Sequence, residues 1–186
     1  MALLSHDLPP GPQYGLLAEF ERVDDLYRAC ERVREAGYTR WDAHTPFPVH
    51  GLDAAMGLKS SKLPWIVLAM GLTGAALGFG LQVWVHSYEY PLVISGKPYF
   101  SWPAYVPITF ELGVLFGALG AVFGMFALNR LPMHWHPLFD SERFDRSTDD
   151  RFFISIESWD PRFDAVGTRR LLEGLGASAV TTVGAA

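Results

Sequence analysis

Two apolar stretches in the middle of this chain, Leu63 to Val85 and Val106 to Leu128, limit what it can fold into. At ~1.5 Å rise per residue, about 20 residues cross a ~30 Å hydrocarbon core, and each stretch exceeds that length. Glu111 is the single formal charge in either. A segment crossing lipid must satisfy its own backbone groups, so the sequence predicts two transmembrane helices, 63–85 and 106–128, joined by an external loop over 86–105.

The orientation expected for this hairpin follows from its flanking charges, because Lys and Arg accumulate on the cytoplasmic side of spans. Lys59 and Lys62 precede the first span, and Arg130, Arg143 and Arg146 follow the second, while the loop holds only Lys97. Both termini are therefore expected in the cytoplasm. Trp65, Trp84, Trp102 and Tyr105 fall near the four helix ends, as interfacial aromatics do. The tail over residues 1–13 lacks the basic and apolar regions of a signal peptide, so no cleavage is expected.

The flanks are polar and nearly balanced in charge. Residues 1–62 carry 7 Lys and Arg against 9 Asp and Glu, and residues 129–186 repeat those numbers. Neither has the basic excess that phosphate-backbone binding needs, which excludes nucleic acid as an expected partner. A lone cysteine, Cys30, rules out an internal disulfide, a CxxCH haem attachment and an all-cysteine iron–sulfur cage within the chain.

Each flank reads strand, helix, strand. In the first, Tyr14 to Phe20 is a strand, Val23, Leu26, Tyr27, Cys30 and Val33 share one helical face, and Tyr38 to His44 is a second strand. Asp24 or Asp25 is expected to cap that helix and Gly37 to end it. In the last flank, Phe152 to Glu157 is a strand, Asp160-Pro161 opens a helix reaching about Leu175, Gly176 stops it, and Ala177 to Val183 is a strand. One β-α-β unit cannot bury its own apolar face, whereas two interleave into a four-stranded sheet with both helices on one side. The expected fold is thus an α+β membrane protein: a ferredoxin-like domain made of residues 14–62 and 129–183, a hairpin over 63–128 inserted between the second and third strands, and a tail at 184–186. The connections 45–62 and 129–151, rich in Pro and His, are expected to be extended tethers.

Four motifs carry the chain's distinctive residues: Asp42-Ala-His-Thr-Pro-Phe-Pro-Val-His-Gly-Leu-Asp53, Asn129-Arg-Leu-Pro-Met-His-Trp-His-Pro-Leu-Phe139, Asp150-Arg-Phe-Phe-Ile-Ser-Ile156 and Asp160-Pro-Arg-Phe-Asp164. With the two spans between them, they resemble the D subunit of alternative complex III, a bacterial quinol:electron acceptor oxidoreductase, from Tyr14 to about Val183. The resemblance implies an accessory subunit of the inner membrane, without cofactors of its own. Haem c and iron–sulfur clusters would belong to partner subunits, and quinol oxidation to polytopic membrane subunits. The residues agree: haem b in a bundle needs facing ligands such as histidines, and neither span contains one, His86 lying just past the first. The rival expectation is a membrane-tethered regulatory module whose ferredoxin-like domain binds a small ligand.

Small residues mark both spans: Gly71, Gly74, Ala75 and Gly78 in the first, and Gly113, Gly117, Gly120 and Gly124 in the second. Such stripes let backbones approach in lipid, where hydrophobicity drives nothing, so a helix-packing interface is expected, within the hairpin and toward a larger subunit. Glu111 is expected to face protein, as a docking contact ahead of a proton relay. His134 and His136 have a spacing that binds metal on a strand, but Pro132 and Pro137 favour a surface tether, and His44 and His50 are read the same way. Asp149, Asp150 and Arg151 are expected to form a local ion pair or turn. No phosphate loop or nucleophile–base pair is evident.

Overall fold

The structure, a computed structural model, describes residues 13–184. The tail expected over 1–13 lies outside the described residues except for Gln13, as do the last two residues. The chain divides into two compact units: Ser60–Pro132, and the polypeptide that ends at Lys59 and resumes at Met133.

The second of these units holds a sheet of β1 (Gln13–Phe20), β2 (Trp41–His44), β3 (Phe152–Glu157) and β4 (Ala179–Gly184). Every pairing is antiparallel and the order is β2-β3-β1-β4, with Leu17 between Ser155 and Thr181. Strand side chains alternate, so each face collects every second residue. Leu16, Ala18, Phe20, Phe152, Ile154 and Ile156 pack with α1 (Val23–Glu35) through Leu26, Ala29, Cys30 and Val33, and with α5 (Ala165–Gly174) through Leu172. Cys30 is sealed in this core, and burial pushes its thiol up to about 12.

Three local expectations change. α1 begins at Val23 with Arg22 at its N-cap and no side-chain cap, which puts Asp24 and Asp25 inside the first turn, where they meet the helix dipole instead. α5 begins at Ala165, because Asp164 rather than Asp160 caps it, accepting from the Gly167 amide at 2.6 Å. Asp160 is occupied elsewhere: Oδ2 accepts from the amides of Thr39 and Arg40, both at 2.7 Å, and from the Thr39 hydroxyl at 3.1 Å, while Oδ1 accepts from the Arg162 amide. That clasp fixes Thr39 and Arg40 just ahead of the strand, and β2 begins at Trp41.

The two connections are not plain extended tethers. The first contains α2 (Leu52–Met56), whose Leu52, Ala55 and Met56 join the core beside α1. The second folds into 3₁₀ turns over Pro137–Asp140 and Glu142–Thr148, and its Leu138 and Phe144 cover the other sheet face against Leu17, Phe153 and Val183. Tyr14 joins this second face because a bulge between Gln13 and Gly15 leaves it as the unpaired extra residue, reversing its side.

The Ser60–Pro132 unit contains α3 (Leu63–Trp84), a π turn over Val85–Glu89 and α4 (Trp102–Asn129). Both helices are long and apolar enough to cross a membrane. α4 starts four residues ahead of the expected Val106, since Pro103 sits in its first turn, where its missing N–H costs nothing.

Candidate functional site

Within the hairpin the glycines fall into two groups. At Gly74 an added Cβ would lie well inside contact of the Leu112 carbonyl oxygen and 2.7 Å from Phe116 Cβ; at Gly78 it would lie 3.2 Å from the Ile108 carbonyl oxygen; at Gly120, 2.8 Å from Met70 Cβ; at Gly124, 3.0 Å from Leu63 Cδ1. These four occupy the α3–α4 contact. Gly113 and Gly117 are looser, with nearest neighbours for a Cβ at 3.5 and 3.9 Å, and with Gly71 and Ala75 they floor an apolar groove of about 560 Å³.

One polar residue clips the helices together. Gln82 is buried, and its Nε2 donates to the carbonyls of Gly78 at 3.0 Å and Tyr105 at 3.1 Å, joining α3 to α4. Tyr105 is buried in turn, donating its hydroxyl to the Tyr99 carbonyl at 2.8 Å and stacking on His86 at 5.3 Å. Sequence reading passed over Gln82, although it is the only side-chain amide between Leu63 and Leu128. Glu111 lies one residue from Leu112 yet is exposed, and it makes no ion pair or hydrogen bond among the described residues. At about 100° per residue, it falls on the side of α4 away from α3.

The second feature is a polar cavity of about 330 Å³ on the sheet face that carries Tyr14. Its lining includes Arg40, Asp42, His44, His136, Ser155 and Glu157. His136 Nδ1 accepts from the Leu138 amide at 3.3 Å, so the imidazole proton resides on Nε2, 3.3 Å from the Tyr14 oxygen. The Tyr14 hydroxyl then donates to Glu157 Oε1 at 3.4 Å. Three titratable groups thus form one chain of hydrogen bonds. His44 Nε2 lies 3.1 Å from Ser155 Oγ, with its ring edge-on to Phe144 at 5.0 Å. Burial lowers both histidines and raises Glu157, and burial together with the neighbouring Glu157 raises Tyr14. The arrangement keeps both rings neutral near pH 7.

On the same face Glu19 is buried and takes Arg143 at 2.9 Å and Arg151 at 3.5 Å, with Arg146 at 4.0 Å. Arg146 also pairs with Asp150, and Arg151 with Glu21 at 2.5 Å. The local part of this cluster, Asp150 with Arg146 and Arg151, is the kind of ion pair expected there, whereas its links to Glu19 and those of Tyr14 to His136 and Glu157 were not visible in the sequence, because they join residues more than a hundred positions apart. His134 and His50 are exposed, and no group of three His, Cys, Asp or Glu among the described residues is arranged to hold a metal ion.

Residues 14–182, from β1 into β4 and including both helices of the hairpin, match the family described as alternative complex III, ActD subunit. The chain belongs to this family. No curated protein matches it. An ActD subunit is part of a multi-subunit assembly, so other subunits of the complex are its partners, and the two apolar helices mark it as a membrane protein. The match takes in the glycine contacts, Gln82, Glu111, the Tyr14 chain and the Glu19 cluster alike.

Proposed function

We propose that this chain is a cofactor-free accessory subunit that anchors and supports the polytopic quinol-oxidising subunits of alternative complex III, acting in assembly rather than catalysis. Its flanks form a ferredoxin-like domain, a reading supported by the order β2-β3-β1-β4 with α1 and α5 on one sheet face and the hairpin inserted between β2 and β3. The observation that carries the proposal is Glu111, an exposed carboxylate on an otherwise apolar span. At the centre of a bilayer such a group costs about 3 kcal/mol on insertion scales, so a partner subunit covering that side of α4 accounts for it. Gly74, Gly78, Gly120 and Gly124 serve the hairpin, while Gly113 and Gly117 leave a groove that suits a neighbouring helix. Purifying the complex through a tag on this chain, in mild detergent, tests the proposal. Co-purified haem c and iron–sulfur subunits support it.

The cavity lined by Asp42, His44, His136 and Glu157 favours a second reading, a regulatory module that binds a small polar ligand. Isolation of a ligand-binding monomer or homo-oligomer without other subunits would support that reading instead.

Two predictions follow from the first reading. Glu111→Gln keeps the shape and hydrogen-bonding capacity of the side chain, so it should assemble and retain quinol oxidation within about twofold, whereas Glu111→Leu should leave the complex at least about tenfold depleted in this subunit. A Gln variant that assembles fully but loses most turnover would point to proton transfer. For orientation, the basic residues flanking the hairpin support a reading with both termini in the cytoplasm of a bacterial cell and the hairpin in its inner membrane. Single cysteines at Ser95 and Glu173 distinguish the two sides without replacing Cys30, which is buried and protonated. An impermeant thiol reagent on intact cells should modify position 95 only, and labelling at 173 would reverse the topology.

A further inference from the structure

The segment that returns from α4 to β3 is held to the sheet at two places of different chemistry. Its later part is fixed by charge, through Arg143 and Arg151 on the buried Glu19. Its first turn is fixed by a histidine. His136 is the N-cap of the 3₁₀ turn Pro137–Asp140, and its Nδ1 accepts from the Leu138 amide at 3.3 Å. Leu138, directly behind the cap, is a buried anchor of the sheet's second face.

A nitrogen can accept the Leu138 amide only while it carries no proton. We infer that residues 136–144 form an acid-released strap: protonating His136 puts a hydrogen on Nδ1, breaks the cap and loosens the first turn from the sheet. This inference does not depend on which subunits the chain assembles with.

The groups facing the ring set the sign. From β1, Tyr14 faces Nε2; from β3, Glu157 lies beyond Tyr14; from β2 and the residue before it, Asp42, His44 and Arg40 line the same cavity. On the strap itself, Asp140 accepts from Trp135 Nε1 at 3.3 Å, and just ahead of the strap His134 is exposed. Asp42 favours a charged ring, but it is exposed and therefore screened, and burial outweighs it, holding His136 below its usual value near 6.5. A histidine lowered on folding stabilises the closed strap fully above pH ~6.5 and loses that contribution as pH falls from there toward its folded value. Glu157, raised by burial, has the opposite sign: it disfavours the closed form when ionised and stops doing so as it takes up a proton.

The test is hydrogen–deuterium exchange on the full chain in nanodiscs at pH 7.5 and 5.5, corrected for intrinsic exchange rates. The amides of Leu138, Phe139 and Ser141 should exchange about fivefold faster at the lower pH, the effect of losing one cap. Those of Asp149 and Arg151, which donate to the Arg146 carbonyl at the Glu19 cluster and not to His136, should not change. His136→Asn supplies a capping oxygen that does not titrate, so it should exchange slowly at both pH values, and His136→Ala should exchange fast at both. Glu157→Gln removes the opposing group and should keep the acid response. No rise in the wild type, or an undiminished rise in His136→Asn, would overturn the strap, and loss of the response in Glu157→Gln would assign the titration to Glu157 instead.

Discussion

Gly74→Ile is expected to separate α3 from α4. Its first side-chain atom would collide with the backbone carbonyl of Leu112 and with Phe116 Cβ, and a carbonyl in mid-helix cannot rotate away. Overpacking of this kind costs about 3 kcal/mol, and the remedy open to a two-helix unit is to part. A cysteine pair reads the result. Ala75 and Gly113 approach so closely that a Cβ at 113 would lie 3.5 Å from the Ala75 Cβ, within the range a disulfide spans. Ala75→Cys with Gly113→Cys should oxidise readily, and two of three thiols should disappear from a count in denaturant. Adding Gly74→Ile should reduce that oxidation about tenfold or more. Adding Gly80→Ile should not, since a Cβ at Gly80 meets nothing within 4 Å. Equal oxidation in both would mean that the close contact at Gly74 does not hold the hairpin.

Asp160→Ala should cost the sheet domain about 3 kcal/mol, the largest effect expected from a single polar side chain there. The carboxylate organises the amides of Thr39, Arg40 and Arg162 and the Thr39 hydroxyl, and its loss leaves four donors without an acceptor. For a domain of about 100 residues this corresponds to a fall in Tm of about 10–20 °C, measurable on the full chain in detergent by the fluorescence of Trp41 and Trp159. The wild type should show a related acid dependence. Burial opposes ionisation of Asp160, but the donors from Arg162, Thr39 and Arg40 outweigh it and hold the carboxyl below its usual range. A lowered carboxylate contributes stability above its unfolded value near 4 and loses it as pH falls through the folded value, so the gap between wild type and variant should close below pH ~4. A gap that persists there would mean that the clasp works through packing rather than charge.

The sheet and both apolar helices were legible because each rests on a local pattern. A short apolar run marks Tyr14 to Phe20, a helical stripe marks α1, and length with lack of charge marks α3 and α4. The errors occur where a side chain is claimed by a distant part of the chain. Asp160-Pro161 reads as a helix start, yet the carboxylate is taken by Thr39 and Arg40, some 120 residues away in sequence, and the helix waits for Asp164. Pro132 and Pro137 suggest an extended tether, but Leu138 and Phe144 find the uncovered sheet face and fold the segment onto it. Tyr14 opens the apolar run read as a strand, and a bulge turns it over. Glu111 stood out by charge alone, whereas Gln82, neutral and two residues from the end of its helix, did not.

The cluster around Glu19 bears on when these charges act as well as where. On the orientation proposed above, Arg143 and Arg146 would belong to the basic set that biases a nascent hairpin as it enters the membrane, before the sheet has formed. Glu19 has by then already been synthesised, and once β1 pairs with β3 it neutralises Arg143 and Arg151, with Asp150 taking Arg146. On that proposal the same guanidinium groups would serve two successive steps, an orienting signal in the unfolded chain and an internal fastening in the folded one. Separating the two by mutation requires changing the acid and not the base: Glu19→Gln leaves the orienting charge intact while undoing the fastening.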